Sequence, residues 1–224
     1  MYIGHFALGF AAKKVAPKPS LGTLFLATQF IDLLWPLLLL LEWEQVLIEP
    51  GNTVVTPLNF THYPFSHGFL SVLIWGVLIG GIYWALKKDL KIALWLGLLV
   101  VSHWILDLLT HRPDLPLLPG LDTKVGLGLW NSLIGTLLVE GGLFVVGVYL
   151  YATSTQAKNK TGRWALWGLV VFFIITYAGN LFGPPPPAVE PIAYLGLFQW
   201  LLVAWAYWID HNRRVVKFSP VELK

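Results

Sequence analysis

The sequence predicts an all-α protein: a polytopic membrane helix bundle with six transmembrane helices and a short N-terminal helix, re-entrant or half-buried. Three observations predict it. Of 224 residues, 56% are hydrophobic and 12% charged, with mean hydropathy +0.67, whereas a soluble domain carries about 25% charged residues. Six apolar stretches are long enough to cross a hydrocarbon core of roughly 30 Å, which takes about 20 residues. The positive charges also sort by loop. Lys13, Lys14 and Lys18 precede the first stretch, Lys87, Lys88 and Lys91 join the second to the third, Lys158, Lys160 and Arg163 join the fourth to the fifth, and Arg213, Arg214, Lys217 and Lys224 follow the sixth. Only Arg112 and Lys124 fall in the alternate loops. The positive-inside rule makes the rich side cytoplasmic and places both chain ends there.

Taken in order, residues 1–12 are apolar but too short to span. With Lys13 and Lys14 at the inner surface, this helix reaches roughly 18 Å into the bilayer. His5 favours packing against the bundle over lying on the membrane surface, because lipid offers an imidazole no partner. No secretory signal is evident, since the first lysines follow the apolar stretch. The spans are expected at about 21–41, 65–86, 92–109, 129–151, 164–182 and 192–209, with 210–224 a cytoplasmic tail and the whole chain one integral-membrane domain. Pro36 lies inside the first span and should kink it. Pro50-Gly51-Asn52 marks a turn in the first outward loop, which also carries Glu42, Glu44 and Glu49. Pro184 to Pro187 form a stiff segment that no helix crosses, separating the fifth and sixth spans. Trp35, Trp43, Trp84, Trp130, Trp164 and Trp208 lie toward span ends, where interfacial anchors belong.

Composition excludes several chemistries. The chain has no cysteine, so thiolate nucleophiles, thiolate metal sites and disulfides are absent. The net charge of +3 reflects topology; no basic stripe interleaves with exposed aromatics, so nucleic acid is not a partner. The lipid bilayer is. No internal repeat of the kind found in many transporters is visible, and no nucleophile elbow, phosphate loop or kinase signature competes with the polar residues of the spans.

Those polar residues are the clue to function. In Ser102-His103-Trp104-Ile105-Leu106-Asp107-Leu108-Leu109-Thr110-His111, two imidazoles and a carboxylate recur every four residues. On a helix they form one stripe with Cβ atoms roughly 6 Å apart, close enough to converge on one divalent cation. Unpaired in lipid, each would cost several kcal/mol. Asp32 lies midway along the first span, and His67 opens the second, on its first turn behind Pro64. Glu140 lies in the fourth span, with Thr136 and Ser132 continuing an inward-facing polar stripe; it either bonds another helix or serves as ligand or general base. His62 reads as an interfacial loop residue, and His211, in the basic tail, as uninvolved. At 1.5 Å per residue, His5, Asp32, His67, His103, Asp107, His111 and Glu140 share the layer between midplane and outer surface. The donors are all nitrogen and oxygen, which suits zinc first, then manganese or iron.

Together, Gly4-His5, Phe30-Ile31-Asp32, Phe65-Ser66-His67-Gly68 and His103-x-x-x-Asp107 resemble the YdjM-like family of bacterial membrane-bound proteins, expected to be metal-dependent hydrolases. The similarity covers most of the chain, including 102–113 and 183–187. That family in turn distantly resembles the all-helical zinc-dependent phospholipase C and single-strand nuclease fold, where an Asp, a His and a His-x-x-x-Asp pair hold one zinc. The resemblance implies Asp32, His67, His103 and Asp107 for that ion, with His5 sharing the second Asp with another. His111 would match a ligand of a third ion, whose His-x-x-x-Glu pair reads Thr136-x-x-x-Glu140 here. One to three ions are therefore expected, in a bacterial inner membrane.

The function expected is a membrane-embedded hydrolase that uses metal-activated water on a phosphoester, a phospholipid or lipid-linked phosphate. Asp32, with Glu140 in reserve, is the expected catalytic base. A metal-ion or proton transporter is the alternative, but a transport path needs polar groups in the inner half, and the sequence shows almost none. A metal-stabilised structural or stress membrane protein without turnover is the third reading.

Overall fold

The computed structural model describes residues 1–216. Lys217 and Lys224, counted above among the inner charges, lie outside the described residues with the rest of 217–224. The chain runs α1 (Tyr2–Val15), α2 (Leu21–Leu40), β1 (Gln45–Ile48), β2 (Leu58–His62), α3 (Phe69–Lys87), α4 (Leu90–Thr110), β3 (Leu115–Pro116), β4 (Lys124–Val125), α5 (Leu133–Ser154), β5 (Thr155–Ala157), α6 (Lys160–Phe182), α7 (Val189–Leu197), α8 (Gln199–His211) and β6 (Arg213–Val215). It is an all-α bundle whose strands form only two-stranded ribbons. Six helices are long and apolar enough to cross a membrane: α2, α3, α4, α5, α6, and α7 with α8 taken together.

Side chains of low polarity cannot cap helix ends, so a few polar residues define the boundaries. Ser20 accepts from Thr23 N, Asp89 from Ile92 N, Ser132 from Gly135 N and Asn159 from Gly162 N. Ser132 is thus an exposed cap of α5 and not part of an inward stripe, whereas Thr136 is fully buried with its hydroxyl on Leu129 O. Lys88 ends α3 in the left-handed region at φ 55°. In the same α3–α4 turn Asp89 pairs with Lys18 at 2.6 Å, and the ammonium beside it holds the carboxyl below its usual range.

The centre of the bundle is α1. Ile3, Phe6, Ala7 and Phe10 are buried, and Phe6 and Phe10 pack into an aromatic cluster with Phe25, Phe144 and Phe173. A Cβ on Gly147 would run into the Ala7 carbonyl, so glycine there lets α5 close onto α1. The short helix therefore packs inside the bundle, as His5 suggested. Its last turn is tied down by Lys13, which donates to Pro19 O and to Asp210 Oδ2, both at 2.7 Å. Tyr151 donates to the other oxygen of Asp210 at 2.8 Å.

By contrast, α3 buries only Val72, Gly76 and Gly80 and turns a Leu, Ile and Val surface outward. Such a surface is prohibitive in water and ordinary in hydrocarbon. Its inner face lies against α4, where a Cβ on Gly76 would sit 2.9 Å from Gly97 O.

A further sequence expectation needs correction, and another gains detail. The second span starts at Phe69 and not at 65, because residues 64–66 form a separate turn held by the Glu44 carboxylate, which accepts from Phe65 N at 2.8 Å and Ser66 N at 2.7 Å. The tail is not free at its start. Arg213 to Val215 pair with Thr155 to Ala157, and the buried Arg213 guanidinium donates to Thr155 Oγ1, Thr155 O and Gly162 O. The loop after α2 folds back as the β1–β2 hairpin, with its turn at Gly51, φ 89°.

Candidate metal centre

Four elements deliver the six candidate ligands to one place. His5 comes from α1, Asp32 from α2, His103 and Asp107 from α4, and His67 from the turn before α3. His111 is the C-cap of α4, in extended backbone, so it leaves the helical stripe but still aims Nε2 at Asp107 Oδ1, 3.9 Å away. His67 lies one residue before the N-cap of α3 and not on its first turn.

The geometry is ordered around two carboxylates. His67 Nε2 is 3.5 Å from Asp32 Oδ1 and 3.7 Å from Asp107 Oδ2; His103 Nε2 is 3.5 Å and 3.2 Å from the same two oxygens. Ligands of a tetrahedral zinc with bonds of about 2.0–2.1 Å lie about 3.3–3.4 Å from one another. His5 Nε2 is 3.1 Å from Asp107 Oδ1, and its ring stacks on that of His103 with centroids 3.5 Å apart. The backbone nitrogen of Met1 lies 2.6 Å from the same Asp107 oxygen. Two overlapping donor groups result, His5–His103–Asp107 and Asp32–His67–His103, with His103 common to both.

Hydrogen bonds on the far side of each ring decide what the near side offers. His103 Nδ1 is 2.8 Å from Thr28 O, a carbonyl that can only accept, so Nδ1 carries the proton. Ser66 Oγ donates to Glu44 Oε2 at 2.5 Å, leaving a lone pair for the Nδ1–H of His67 at 2.7 Å. His111 Nδ1 donates to Asp114 Oδ1 at 2.9 Å. Tyr63 donates to that oxygen at 3.1 Å, its phenol held protonated far above the usual range by burial and by the Asp114 charge. Arg112 Nε binds the other oxygen. All three histidines therefore turn Nε2 toward the carboxylates, and His103 Nε2 has no hydrogen-bond partner. A lone pair facing two carboxylate oxygens is repulsive unless a positive charge lies between them. A divalent cation between them would remove that repulsion, as in carboxylate–histidine–metal sites.

Exposure separates the two carboxylates. Asp107 is 1% exposed and Asp32 23%. Asp32 faces a cavity of about 170 Å³ that also borders His67, Asp107, His111, Trp130 and Glu140. Glu140 Oε2 is buried without a partner. Two tryptophans expected as interfacial anchors are instead walls of this cavity. Trp35 follows Asp32 by three residues on the same helix face and meets His67 edge-on at 6.3 Å, and Trp130 packs against His111 at 4.4 Å. Trp43, Trp84, Trp164 and Trp208 remain exposed. His62 lies on β2, outside the donor groups, and His211 ends α8, where its carbonyl accepts from Lys158.

Sequence reasoning missed Glu44, Ser66, Thr28 and Asp114. Ser66 adjoins His67, and Asp114 follows His111 by three residues, both local signals. Glu44 acts across 22 residues on Ser66, and Thr28 acts through its backbone, so neither leaves a pattern.

A family model described as YdjM inner membrane protein matches residues 1–183. No curated protein matches, nor does any solved structure, those of the zinc-dependent phospholipase C fold included.

Proposed function

Because the chain belongs to the YdjM inner membrane protein family, we propose that it is a membrane-embedded, metal-dependent hydrolase acting on a phosphoester, a phospholipid or lipid-linked phosphate. One observation carries this reading. The Nε2 atoms of His67 and His103 both face Asp32 and Asp107, three of the four border the cavity, and Asp32 is 23% exposed against 4% or less for the others. A closed structural site would bury all of its ligands; a catalytic one keeps a side open.

In this reading His67, His103, Asp107 and Asp32 hold the first cation, and His5 and His111 hold a second or complete the first. All-nitrogen-and-oxygen donors favour zinc, with manganese or iron as the alternatives. Such a cation lowers the pKa of water to about 7 and polarises a phosphoryl oxygen. The protein does the rest. Asp32, the partly exposed carboxylate, accepts the proton of the attacking water, and Glu140, buried with Oε2 unpartnered, is the second group able to do so. Trp35 and Trp130 narrow the cavity and exclude bulk water. We place the site in the outer half of the bilayer, with both chain ends cytoplasmic.

Packing below the site disfavours the transporter reading. Between His5 and Lys13, α1 presents Phe6 and Phe10 to an aromatic cluster with Phe25, Phe144, Tyr151 and Phe173. The deciding test is metal content and product formation (free phosphate from lipid phosphates, phosphomonoester and alcohol from phospholipids) over a panel of both, using purified protein with and without zinc. Fully metallated protein that cleaves none of them sinks the hydrolase reading.

A further inference from the structure

A second cavity, about 600 Å³, lies beside the metal centre. Its walls are the tip of the β1–β2 hairpin, the end of α6, prolines 184–187, and Ile192 and Leu195 of α7. Val55, Thr56, Leu58 and Asn180 border both this cavity and the one at the metal centre. Its volume falls in the range of ligand sites, roughly 300–1,000 Å³. Among the described residues, no charged one lines it. Its threonines are committed to the hairpin turn: Thr53 Oγ1 donates to Thr56 O at 3.0 Å, and Thr56 Oγ1 accepts from Leu58 N at 3.2 Å. The remaining wall is proline, glycine, valine, leucine and isoleucine, with Asn180 as the polar side chain at the junction of the two cavities.

We propose that this cavity binds the hydrocarbon chain of an alkyl or prenyl phosphate ester whose phosphate reaches Asp32 and His67. A charged headgroup would find no charged partner here to replace its water, whereas a chain needs only apolar surface, which makes up most of the wall. Asn180 lies where the ester linkage would pass from one cavity to the other. The proposal rests on the hydrolase reading for its phosphate end.

The test is photo-crosslinking of the full-length, metal-loaded protein in nanodiscs with dodecyl phosphate carrying a terminal diazirine. Cross-links are expected in the peptides covering 50–58 and 184–195. Excess dodecyl phosphate should suppress them, and inorganic phosphate should not. Farnesyl phosphate as competitor separates the sources, since the chain that suppresses labelling better is the type the cavity takes. Leu195 and Val54 are exposed at the rim, so Leu195→Trp and Val54→Trp should fold. Each should cut labelling about tenfold, with bound metal and inorganic phosphate affinity unchanged, and Leu195→Ala should not. Labelling spread over the outward faces of α3 and α6, insensitive to competitor and to both Trp variants, overturns the proposal. A probe that labels the cavity but is never hydrolysed, with the whole lipid panel also uncleaved, leaves this site standing and removes the hydrolase reading. Hydrolysis of alkyl phosphates at a rate untouched by both Trp variants does the reverse.

Discussion

The Nδ1 of His67 lies 2.7 Å from Ser66 Oγ, and that hydroxyl points away from the ring to donate to Glu44 at 2.5 Å. The buried carboxylate thus fixes the tautomer of a histidine it never touches. Ser66→Ala removes the acceptor, and Glu44→Gln weakens the group that orients it. Each should lower metal affinity about ten- to hundredfold, read by competition with a chromogenic chelator. Equal affinity in wild type and Ser66→Ala would mean that His67 does not bind the metal.

The ligands themselves should show a steeper response. His103 is common to both donor groups, and Asp107 faces His5, His67, His103 and His111 at once. His103→Ala and Asp107→Ala should each remove most of the bound metal, measured per purified protein. His211→Ala should leave it intact. Unchanged stoichiometry in the first two variants refutes the site.

How much of this was legible in the sequence follows from the range of each signal. Helix positions came from apolar runs and from Pro and Gly, which act locally, so α2 and α6 end within one residue of expectation. The start of α3 was misplaced because Glu44, far away in sequence, holds residues 64–66 in their own turn. The four-residue spacing of His103, Asp107 and His111 displayed one face of α4, but His5, Asp32 and His67 share no periodicity with it. Only their common depth and the family resemblance joined them. Trp35 and Trp130 read as anchors because position along a span does not reveal which way a ring turns. Lys13 and Arg213 read as surface charges for the same reason; Asp210 and the Thr155 backbone, distant in sequence, bury them.

Lys13 and Asp210 provide a test of how α1 is held. The ammonium is 3% exposed and the carboxylate 13%. Lys13→Met leaves Asp210 partly buried with only Tyr151 as partner, and should cost about 3 kcal/mol. Adding Asp210→Asn should recover part of the loss, since the orphaned charge is gone. The measurement is the thermal midpoint in a fixed detergent. A double variant as unstable as Lys13→Met alone would show that the pair does not couple α1 to α8.

Topology is open to a direct test. The basic residues concentrate in alternate loops, and the described residues include six helices long enough to span. Reporter fusions after Lys88, Lys160 and Lys224 should read cytoplasmic, and fusions near Asn52 and Gly120 external. An external signal at Lys160 breaks the six-span arrangement with both ends inside.

Asp32 separates holding the metal from using it. Its side chain is 23% exposed, against 4% or less for His67, His103 and Asp107, and it faces the cavity where substrate would enter. Asp32→Asn keeps the shape and one oxygen donor but removes the basic oxygen. Metal content should fall little, while phosphoester hydrolysis should fall about a hundredfold or more, the range for loss of a general base. Glu140→Gln is the control: a deeper loss there, with Asp32→Asn nearly active, assigns the base to Glu140. If metal and activity fall together in Asp32→Asn, the residue is a ligand only. If neither variant matters because the metallated wild type hydrolyses nothing, while proteoliposomes move zinc or protons, the same six side chains form a transport site.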